Sequence, residues 1–291
     1  LGCRLILVGD SDQLPPVGAG NVLHDLIKAE VLPVIELNKV FRQAMESKIV
    51  SNAHKIVHGE MPDLKNDNKD FFHMERQSTF LASQTVAELC AVRLKKAYGW
   101  DPLSDIQVIC PSKKGETGTV NLNKILQNVL NPKDDNKHEV IVAGQLFREG
   151  DKVMQTKNNY NIEWESEDEK GNGIFNGDIG ILEKINTQNG LVTINFDGRV
   201  AEIAAENLSE LDLSYAITVH KSQGSEFKAV IMPVIGVVPE LSYRNLLYTA
   251  VTRAKDMLIT VGSSDLVYRM TENDKKSKRY SALSHFLKAE F

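Results

Sequence analysis

The sequence predicts an α/β protein with a parallel sheet that carries a small all-β insertion. Short apolar, β-rich runs alternate with helical patterns along most of the 291 residues, which is typical of parallel strands joined by crossover helices. Between Gly150 and about Leu208 the pattern changes to short alternating strands without helical periods. Hydrophobic residues make up 42% of the chain and charged residues 25%, so we expect a packed core.

The predicted parallel strands are aliphatic runs, and the predicted helices are amphipathic segments. The clearest helical period lies near residues 120–130, where Leu122, Ile125 and Leu126 share one face and Asn131-Pro132 ends the helix. Strands are expected at residues 5–8, 34–37, 106–110, 215–219, 229–234 and 257–261, and further helices at 21–29 and 243–255.

The insertion is predicted from four short runs, KVMQT, IGILEKI, LVTINF and VAEI, each with the length and residue types of a strand. Asp197-Gly198 stands between the last two runs. Both residue types accept the left-handed backbone of a two-residue hairpin turn, so this pair predicts a tight hairpin. We therefore expect residues 150–208 to form one small antiparallel unit.

Composition restricts the classes of function. The formal charge of -5 does not indicate a basic surface over the whole molecule, so a nucleic-acid site would have to be a local groove. Three cysteines without CxxC spacing favour a reducing compartment over a disulfide scaffold or a zinc site. No apolar run reaches the roughly 18 to 20 residues of a membrane span, and no signal peptide is visible, so we predict a cytoplasmic protein.

Polar residues follow the first predicted strand. In LILVGDSDQLPPVGAG, Asp10, Asp12 and Gln13 come directly after the aliphatic run. Ligands of open α/β sheets bind beyond the carboxyl ends of the strands, which is where these side chains would lie. Gln13 can donate and accept hydrogen bonds, as is needed to orient a water or contact a terminal phosphate. A purely structural turn explains the spacing equally well.

The stretch YAITVHKSQGSEF, residues 215–227, repeats this arrangement with more functional groups. Ser222 and Gln223 can hydrogen-bond to a phosphate or a base, and Lys221 supplies positive charge. Gly224 permits close approach of the backbone, and Glu226 could accept from a ribose hydroxyl. A capped loop without a ligand is the alternative interpretation.

Two arginines are candidates for contacts with a transferring phosphoryl group. Arg253 lies near the end of the predicted helix in RNLLYTAVTRAK, and Arg42 lies in VFRQ. A planar guanidinium that is always charged is suited to clamping phosphate. The helix dipole alone also favours a cation at the position of Arg253, so this residue has a structural explanation as well.

Taken together and in this order, these stretches resemble the superfamily 1 helicases. The similarity is strongest to the RecD-like branch, which includes the alpha subunit of exodeoxyribonuclease V. LVGDSDQLPPVGAG looks like motif III of that family, VFRQ like motif IV, VHKSQGSEF like motif V and YTAVTRAK like motif VI. CPSKKGETGTVNLN also looks like a segment of this branch. Four ordered motifs are far more specific than any one of them.

The resemblance implies a RecA-like, P-loop NTPase fold and an ATP-dependent 5′ to 3′ DNA helicase in repair and recombination. Residues 1–40 would end the first motor domain, and residues 41–149 and 209–291 would form the second. The insertion at 150–208 would be a small barrel of the Src-homology type that helps to hold DNA. Expected partners are single-stranded DNA, duplex ends, and RecB-like and RecC-like subunits.

The resemblance also assigns roles to residues. Gln13 would couple the γ-phosphate of ATP to the DNA contacts, and Arg42 and Arg253 would reach that phosphate across the domain cleft. The nucleotide would lie near Asp10, Gln13, Arg42, Gly224, Glu226 and Arg253, and Mg²⁺ is expected with ATP in the intact, longer protein. The expected contacts with nucleic acid are Pro15, Val17, Lys113, Asn158, Tyr160, Thr218, His220, Lys221, Ser222 and Gln223.

Two elements of a working motor are not found in the sequence. There is no GxxxxGK[ST] loop for phosphates, and the only Asp-Glu pair, Asp168-Glu169, lies in an acidic segment. The family places both elements before motif III, and the chain starts at Leu1. We therefore expect a C-terminal portion of a longer protein that does not hydrolyse ATP alone. A non-motor nucleic-acid clamp, an RNA helicase and the helicase portion of a conjugative relaxase stay open as alternatives.

Overall fold

The structure is a computed structural model that describes residues 3–15, 18, 20–37, 46–67, 69–274 and 281–290. Its helices are α1 (Val22–Ala29), α2 (Lys48–Val57), α3 (Thr79–Glu88), α4 (Leu94–Tyr98), α5 (Thr119–Leu130), α6 (Arg244–Val251), α7 (Ser264–Glu272) and α8 (Leu283–Glu290). A π-helical turn, Leu89–Arg93, joins α3 to α4. Its strands are β1 (Phe71–Glu75), β2 (Ile106–Cys110), β3 (Glu139–Val142), β4 (Gln145–Arg148), β5 (Lys152–Gln155), β6 (Asn159–Glu165), β7 (Lys170–Ile174), β8 (Ile179–Asn186), β9 (Leu191–Phe196), β10 (Arg199–Ala204), β11 (Leu211–Leu213), β12 (Ala216–Thr218), β13 (Phe227–Val234) and β14 (Ala254–Gly262).

A five-stranded parallel sheet is the centre of the fold. Its strands lie in the order β1-β14-β13-β2-β12, and each neighbouring pair is parallel. All five residues of β2 are buried, as expected when both faces of a parallel sheet are covered. The predicted parallel sheet is therefore confirmed.

Alternate residues of the central strands enter two different hydrophobic cores. In β13, Ile231 packs with one core and Val230 and Met232 with the other. Helices α3 and α5 contribute to the first core, whereas α2, α6 and α7 contribute to the second. The sheet is thus held between two helical layers, and the loops at its edges are positioned by a rigid support.

The insertion contributes six strands to a seven-stranded antiparallel sheet in the order β11-β5-β8-β9-β10-β6-β7, and β11, just after the insertion, is the seventh. The four predicted runs form β5, β8, β9 and β10. Asp197 and Gly198 both have positive φ, 52° and 85°, and turn β9 into β10 as predicted. Strands β6 and β7 were missed because their sequences, NYNIEWE and KGNGI, are too polar to show the alternation of a strand.

The first two predicted strands are wrong. Residues 5–8 and 34–37 have no strand partner among the described residues, and their aliphatic side chains are exposed, Val8 by 93% and Leu37 by 95%. An aliphatic run forms a strand only where a neighbouring strand completes its hydrogen bonds, and periodicity cannot show whether that neighbour is present.

The predicted helices are confirmed, with changes of one residue at their starts and one larger change at the end of α6. Helix α5 begins one residue before the predicted start and ends at Leu130 as expected. Helix α6 ends at Val251, four residues early, because Ala254 already begins β14. Across the described part of the chain, none of the helices combines the length and apolarity needed to cross a membrane.

A buried carboxylate joins the insertion to the parallel sheet. Asp151 is fully buried, and its Oδ1 accepts from Asn131 Nδ2 at 2.7 Å and from Tyr215 Oη at 2.8 Å. Its Oδ2 accepts from Gln127 Nε2 and from the Arg148 amide, both at 2.7 Å. These donors come from α5, the end of β4 and the residue before β12, so one side chain fixes three elements.

The adjacent residue, Lys152, carries a buried ammonium group. It is 3% exposed, and its Nζ donates to the carbonyl oxygen of Ile106 at 3.2 Å, which links β5 to the start of β2. Burial lowers the pKa of Lys152 to about 8, against smaller opposing effects of Cys90 and Asp101. The folded chain therefore holds this proton less tightly than the unfolded chain does.

We predict that Lys152→Met raises the free energy of unfolding at neutral pH. Burial of the charge opposes folding below pH 8, and each pKa unit corresponds to about 1.4 kcal/mol. The free energy of unfolding should therefore rise by up to about 3 kcal/mol in the variant. The loss of the hydrogen bond to Ile106 reduces this increase. Above pH 8 the wild type should gain stability, and the difference should shrink towards pH 10.5.

Urea unfolding between pH 7 and pH 10 measures this difference, and the exposed Lys184→Met is the matched control. A constant difference across that range would contradict the assignment of a depressed pKa to Lys152.

Candidate nucleotide and nucleic-acid interfaces

Residues 10–15, which we call the N-terminal loop, dock on helix α6. The buried amide of Leu14 donates to Thr249 Oγ1 at 2.8 Å, and Asn245 Nδ2 donates to the carbonyl oxygen of Asp12 at 2.6 Å. Residues 219–226, which we call the β12–β13 loop, join this contact through Gln223, whose Nε2 donates to the carbonyl oxygen of Leu14 at 2.7 Å. Three segments far apart in sequence therefore meet at one place.

Asp10 is the acceptor at the centre of the N-terminal loop. Its Oδ2 accepts from Gln13 Nε2 at 3.1 Å and from Tyr248 Oη at 2.9 Å, while Oδ1 accepts from the Asp12 amide. Burial, and then the charge of Asp10, raise the pKa of Tyr248, so its hydroxyl stays a donor at neutral pH. Sequence reasoning missed Tyr248, which lies within the predicted helix and shows no separate signal.

Arg253 lies two residues after helix α6, close enough for the charge of Asp10 to act on it. Its guanidinium is largely buried and donates to the carbonyl oxygens of Thr249 and Ser225, at 3.2 and 3.0 Å. Burial lowers the pKa of Arg253, whereas the negative charges of Glu226 and Asp10 raise it. A guanidinium that remains charged in a buried site is a strong attractor for an anion.

Two predicted nucleotide residues of the β12–β13 loop lie beside Arg253. Glu226 forms an exposed ion pair with Lys255, with 3.3 Å between Oε2 and Nζ. Gly224 has φ 81°, and a Cβ added there would meet nothing within 4 Å. The backbone conformation therefore requires glycine at this position, and space remains open above it. The other predicted nucleotide residue, Arg42, lies outside the described residues.

A groove lies between the parallel sheet and the insertion. Its volume is about 140 Å³, and Lys113, Thr218, Lys221 and Asp212 are among the residues that line it. Burial lowers the pKa of Lys221, with Asp212 raising it and Lys113 lowering it. The groove thus brings together two lysines that sequence reasoning assigned to nucleic acid, from the segment before α5 and from the β12–β13 loop.

The remaining predicted contacts with nucleic acid differ in accessibility. Lys113, Asn158, Tyr160 and His220 are exposed, Pro15 is half-buried, and Val17 lies outside the described residues. Thr218 is mostly buried at the edge of the groove.

Two polar side chains of the β12–β13 loop are engaged within the protein. Ser222 is fully buried and donates to the carbonyl oxygen of Val219 at 2.8 Å, so its contact with a single strand stays a prediction. The amide of Gln223 is engaged with the N-terminal loop. These two residues therefore shape the loop, and exposed neighbours supply its polar surface.

Sequence comparisons agree with this architecture. Family models match residues 1–77 (AAA domain), 122–196 (ATP-dependent RecD-like DNA helicase SH3 domain) and 213–261 (UvrD-like helicase C-terminal domain). The ATP-dependent RecD2 DNA helicase of Deinococcus radiodurans is 36% identical over 292 residues, which cover 99% of this chain and 36% of the relative. The RecBCD enzyme subunit RecD of Mycobacterium tuberculosis is 27% identical, covering 90% of this chain and 45% of the relative.

Solved structures share the fold. Bacteroides Pif1 helicase in complex with ADP-AlF3 and ssDNA superimposes with a TM-score of 0.50 at 19% identity, covering 87% of this chain and 60% of that chain. Bacteroides Pif1 bound to ssDNA gives 0.51 at 17% identity, covering 91% and 64%. The fold class is thus an α/β helicase fold with an SH3-type insertion, as predicted.

The matched families and relatives support the resemblance of this chain to the RecD-like branch of the superfamily 1 helicases. The chain spans about a third of the length of the Deinococcus relative and less than half of the Mycobacterium relative. The resemblance deduced from the four motifs is confirmed.

We predict that Thr249→Val releases the N-terminal loop. The substitution keeps the shape of the side chain but leaves the buried amide of Leu14 without an acceptor, at a cost of about 1–3 kcal/mol. Amide hydrogen exchange at Leu14 should therefore become faster, roughly 5- to 100-fold, while amides of β13 keep their protection.

Thr271→Val is the matched control. Thr271 is equally buried, and its hydroxyl donates to the carbonyl oxygen of Val267 within its own helix. Unchanged exchange at Leu14 in Thr249→Val would show that the loop is held by other contacts.

Proposed function

We propose that this chain forms part of the motor of an ATP-dependent DNA helicase of RecD type, which couples ATP hydrolysis to movement along single-stranded DNA and to unwinding. One observation carries the proposal. The β12–β13 loop contacts the groove through Lys221 and holds Arg253 through the carbonyl oxygen of Ser225, so one short segment touches both candidate interfaces.

The nucleotide end of this arrangement would use Arg253, Gln13 and Glu226. Arg253 would exchange its contacts with Thr249 and Ser225 for the terminal phosphate, and Gln13 would sense that phosphate through its bond to Asp10. Glu226 would accept from the ribose. The described residues contain no group of three or more His, Cys, Asp or Glu that could hold a metal ion, so we do not assign Mg²⁺ ligands to them.

The nucleic-acid end would use the groove. Lys113 and Lys221 would contact phosphates, and the exposed polar residues around them would follow the strand. Movement of Arg253 and Ser225 on binding ATP would shift the β12–β13 loop and so change the shape of the groove. This is how hydrolysis would become translocation.

The motor is proposed to be complete only in a longer protein. The relatives are much longer than this chain, and the sequence contains no GxxxxGK[ST] loop. The longer protein would supply that loop and the carboxylates for Mg²⁺. The boundaries expected for the motor domains, the 5′ to 3′ direction, the RecB-like and RecC-like partners and the cytoplasmic location stay predictions.

Strand displacement by the longer protein with ATP and Mg²⁺ tests the proposal. Duplexes with a 5′ DNA tail, a 3′ DNA tail or an RNA tail are compared, with Arg253→Ala as the variant. We expect unwinding from the 5′ DNA tail only, and a loss of at least roughly a thousandfold in ATP turnover in the variant, because the charge clamp on the phosphate is removed.

Arg244→Ala is the matched control. The guanidinium of Arg244 donates to the carbonyl oxygens of Thr271 and Glu272. The present chain alone should bind the strand without hydrolysing ATP. Strand binding without unwinding of any duplex by the longer protein would favour the non-motor clamp, and unwinding only from the RNA tail would favour an RNA helicase.

A further inference from the structure

Asparagine side chains close the two outer strands of the parallel sheet. On β1, Asn66 Nδ2 donates to the carbonyl oxygen of His73 at 2.9 Å, and Asn66 Oδ1 accepts from the His73 amide at 2.8 Å. On β12, Asn123 forms the same two bonds with Ala216, at 2.9 and 2.8 Å. Each side-chain amide thus takes the place of a neighbouring strand at one residue. Such closure matters because an open strand edge pairs readily with another chain.

Strand β7 is an outer strand of the antiparallel sheet, and among the described strands it pairs with β6 alone. The amide of Ser166 donates to the carbonyl oxygen of Glu169 at 2.8 Å, so these two residues form a hydrogen-bonded pair. Hydrogen-bonded and non-hydrogen-bonded pairs alternate along an antiparallel ladder. The pair of Glu163 with Asn172 lies three steps further and is therefore not hydrogen-bonded. The backbone N–H and C=O of Asn172 consequently point away from β6.

The outward edge of β7 is open at Asn172. This residue is exposed, and within the described part of the chain no side chain hydrogen-bonds to its backbone. The residues on either side, Gly171 and Gly173, have no side chain that could shield the edge. Gly171 is required by packing, because an added Cβ would lie 2.5 Å from the ring of Trp164. The strand is therefore held in place by its inner neighbours while its outer backbone groups stay accessible.

The charge beside this edge restricts what can pair with it. We call residues 163–170 the acidic tip, because it carries one lysine and five exposed carboxylates, those of Glu163, Glu165, Glu167, Asp168 and Glu169. Lys170 forms an ion pair with Glu165. A nucleic acid would be repelled by the remaining carboxylates, and a second copy joined through the same edge would bring two acidic tips together. A basic chain would be attracted.

We propose that β7 is a docking edge for an extended, lysine- or arginine-rich segment of a partner protein, which adds to the antiparallel sheet as a further strand. The backbone N–H and C=O of Asn172 would bond to the backbone of the added segment, and its basic side chains would pair with the acidic tip. Backbone pairing supplies part of the affinity, and the charges select the partner.

The docking edge lies apart from the groove. The acidic tip includes the turn between β6 and β7, whereas the bond from Lys221 Nζ to Asn176 Oδ1 reaches the groove from just beyond the other end of β7. A segment bound beside the acidic tip would leave Lys221 and Lys113 free to act in the groove. The proposal therefore goes beyond the motor function and does not depend on it.

A fluorescently labelled peptide of alternating lysine and threonine, seven residues long, tests the proposal by anisotropy with the full chain. Threonine favours an extended backbone and lysine supplies the charge. A second peptide has the same sequence with alternate backbone amides N-methylated, which keeps the charges and removes donors. A third has glutamate in place of lysine. The variants are Asn172→Pro, which removes the outward N–H of the edge, and Asn172→Ala, the matched control that keeps it.

We expect the lysine peptide to bind the wild type and Asn172→Ala equally, and to bind Asn172→Pro roughly fivefold more weakly, because one backbone hydrogen bond is lost. The N-methylated peptide should bind the wild type at least as weakly. The combined variant Glu163→Gln, Glu167→Gln and Glu169→Gln should also bind the lysine peptide more weakly.

Equal binding of the plain and N-methylated lysine peptides by the wild type would show attraction by charge alone and would overturn strand addition. This comparison uses the wild type, so it decides the question even if Asn172→Pro lowers the thermal midpoint. Binding of the glutamate peptide as tightly as the lysine peptide would contradict the basic chemistry of the partner. A wild-type dimer that Asn172→Pro dissociates, measured by sedimentation, would assign the edge to a second copy instead.

Discussion

The buried carboxylate of Asp151 is the constraint on which the arrangement of the groove depends. Four donors converge on it, from α5 and its C-cap, from the end of β4 and from the residue before β12. A buried acceptor of this kind has no water to replace a lost partner, so the three elements must keep their relative positions. The groove lies between these elements, and its width is therefore set by hydrogen bonds that lie outside it.

The β12–β13 loop turns this fixed geometry into a connection between sites. It leaves the sheet at Thr218 and follows the groove as far as Lys221. It then contacts the N-terminal loop through Gln223 and ends beside Arg253. A strand that ran directly into a two-residue turn would touch only one of these places. The loop after this buried strand is polar because it contacts the groove, the N-terminal loop and Arg253.

The sequence allows the scaffold to be predicted more completely than the contacts. Aliphatic runs such as β2 and the regular period of α5 are local, so both elements can be read from neighbouring residues. The bond between Asp10 and Tyr248 joins residues 238 positions apart, and no local pattern encodes it. Ser222 shows that residue type does not reveal burial, because its hydroxyl is fully buried and bonded to the carbonyl oxygen of Val219.

The central claim, that the β12–β13 loop links nucleotide to nucleic acid, is tested most directly by a linkage measurement on the longer protein. Affinity for single-stranded DNA is measured with and without a non-hydrolysable ATP analogue, in wild type, in Gln223→Ala and in the remote control Gln188→Ala. We predict a coupling of about 1–3 kcal/mol in the wild type and the control that falls towards zero in Gln223→Ala. The same coupling in all three proteins would contradict the account.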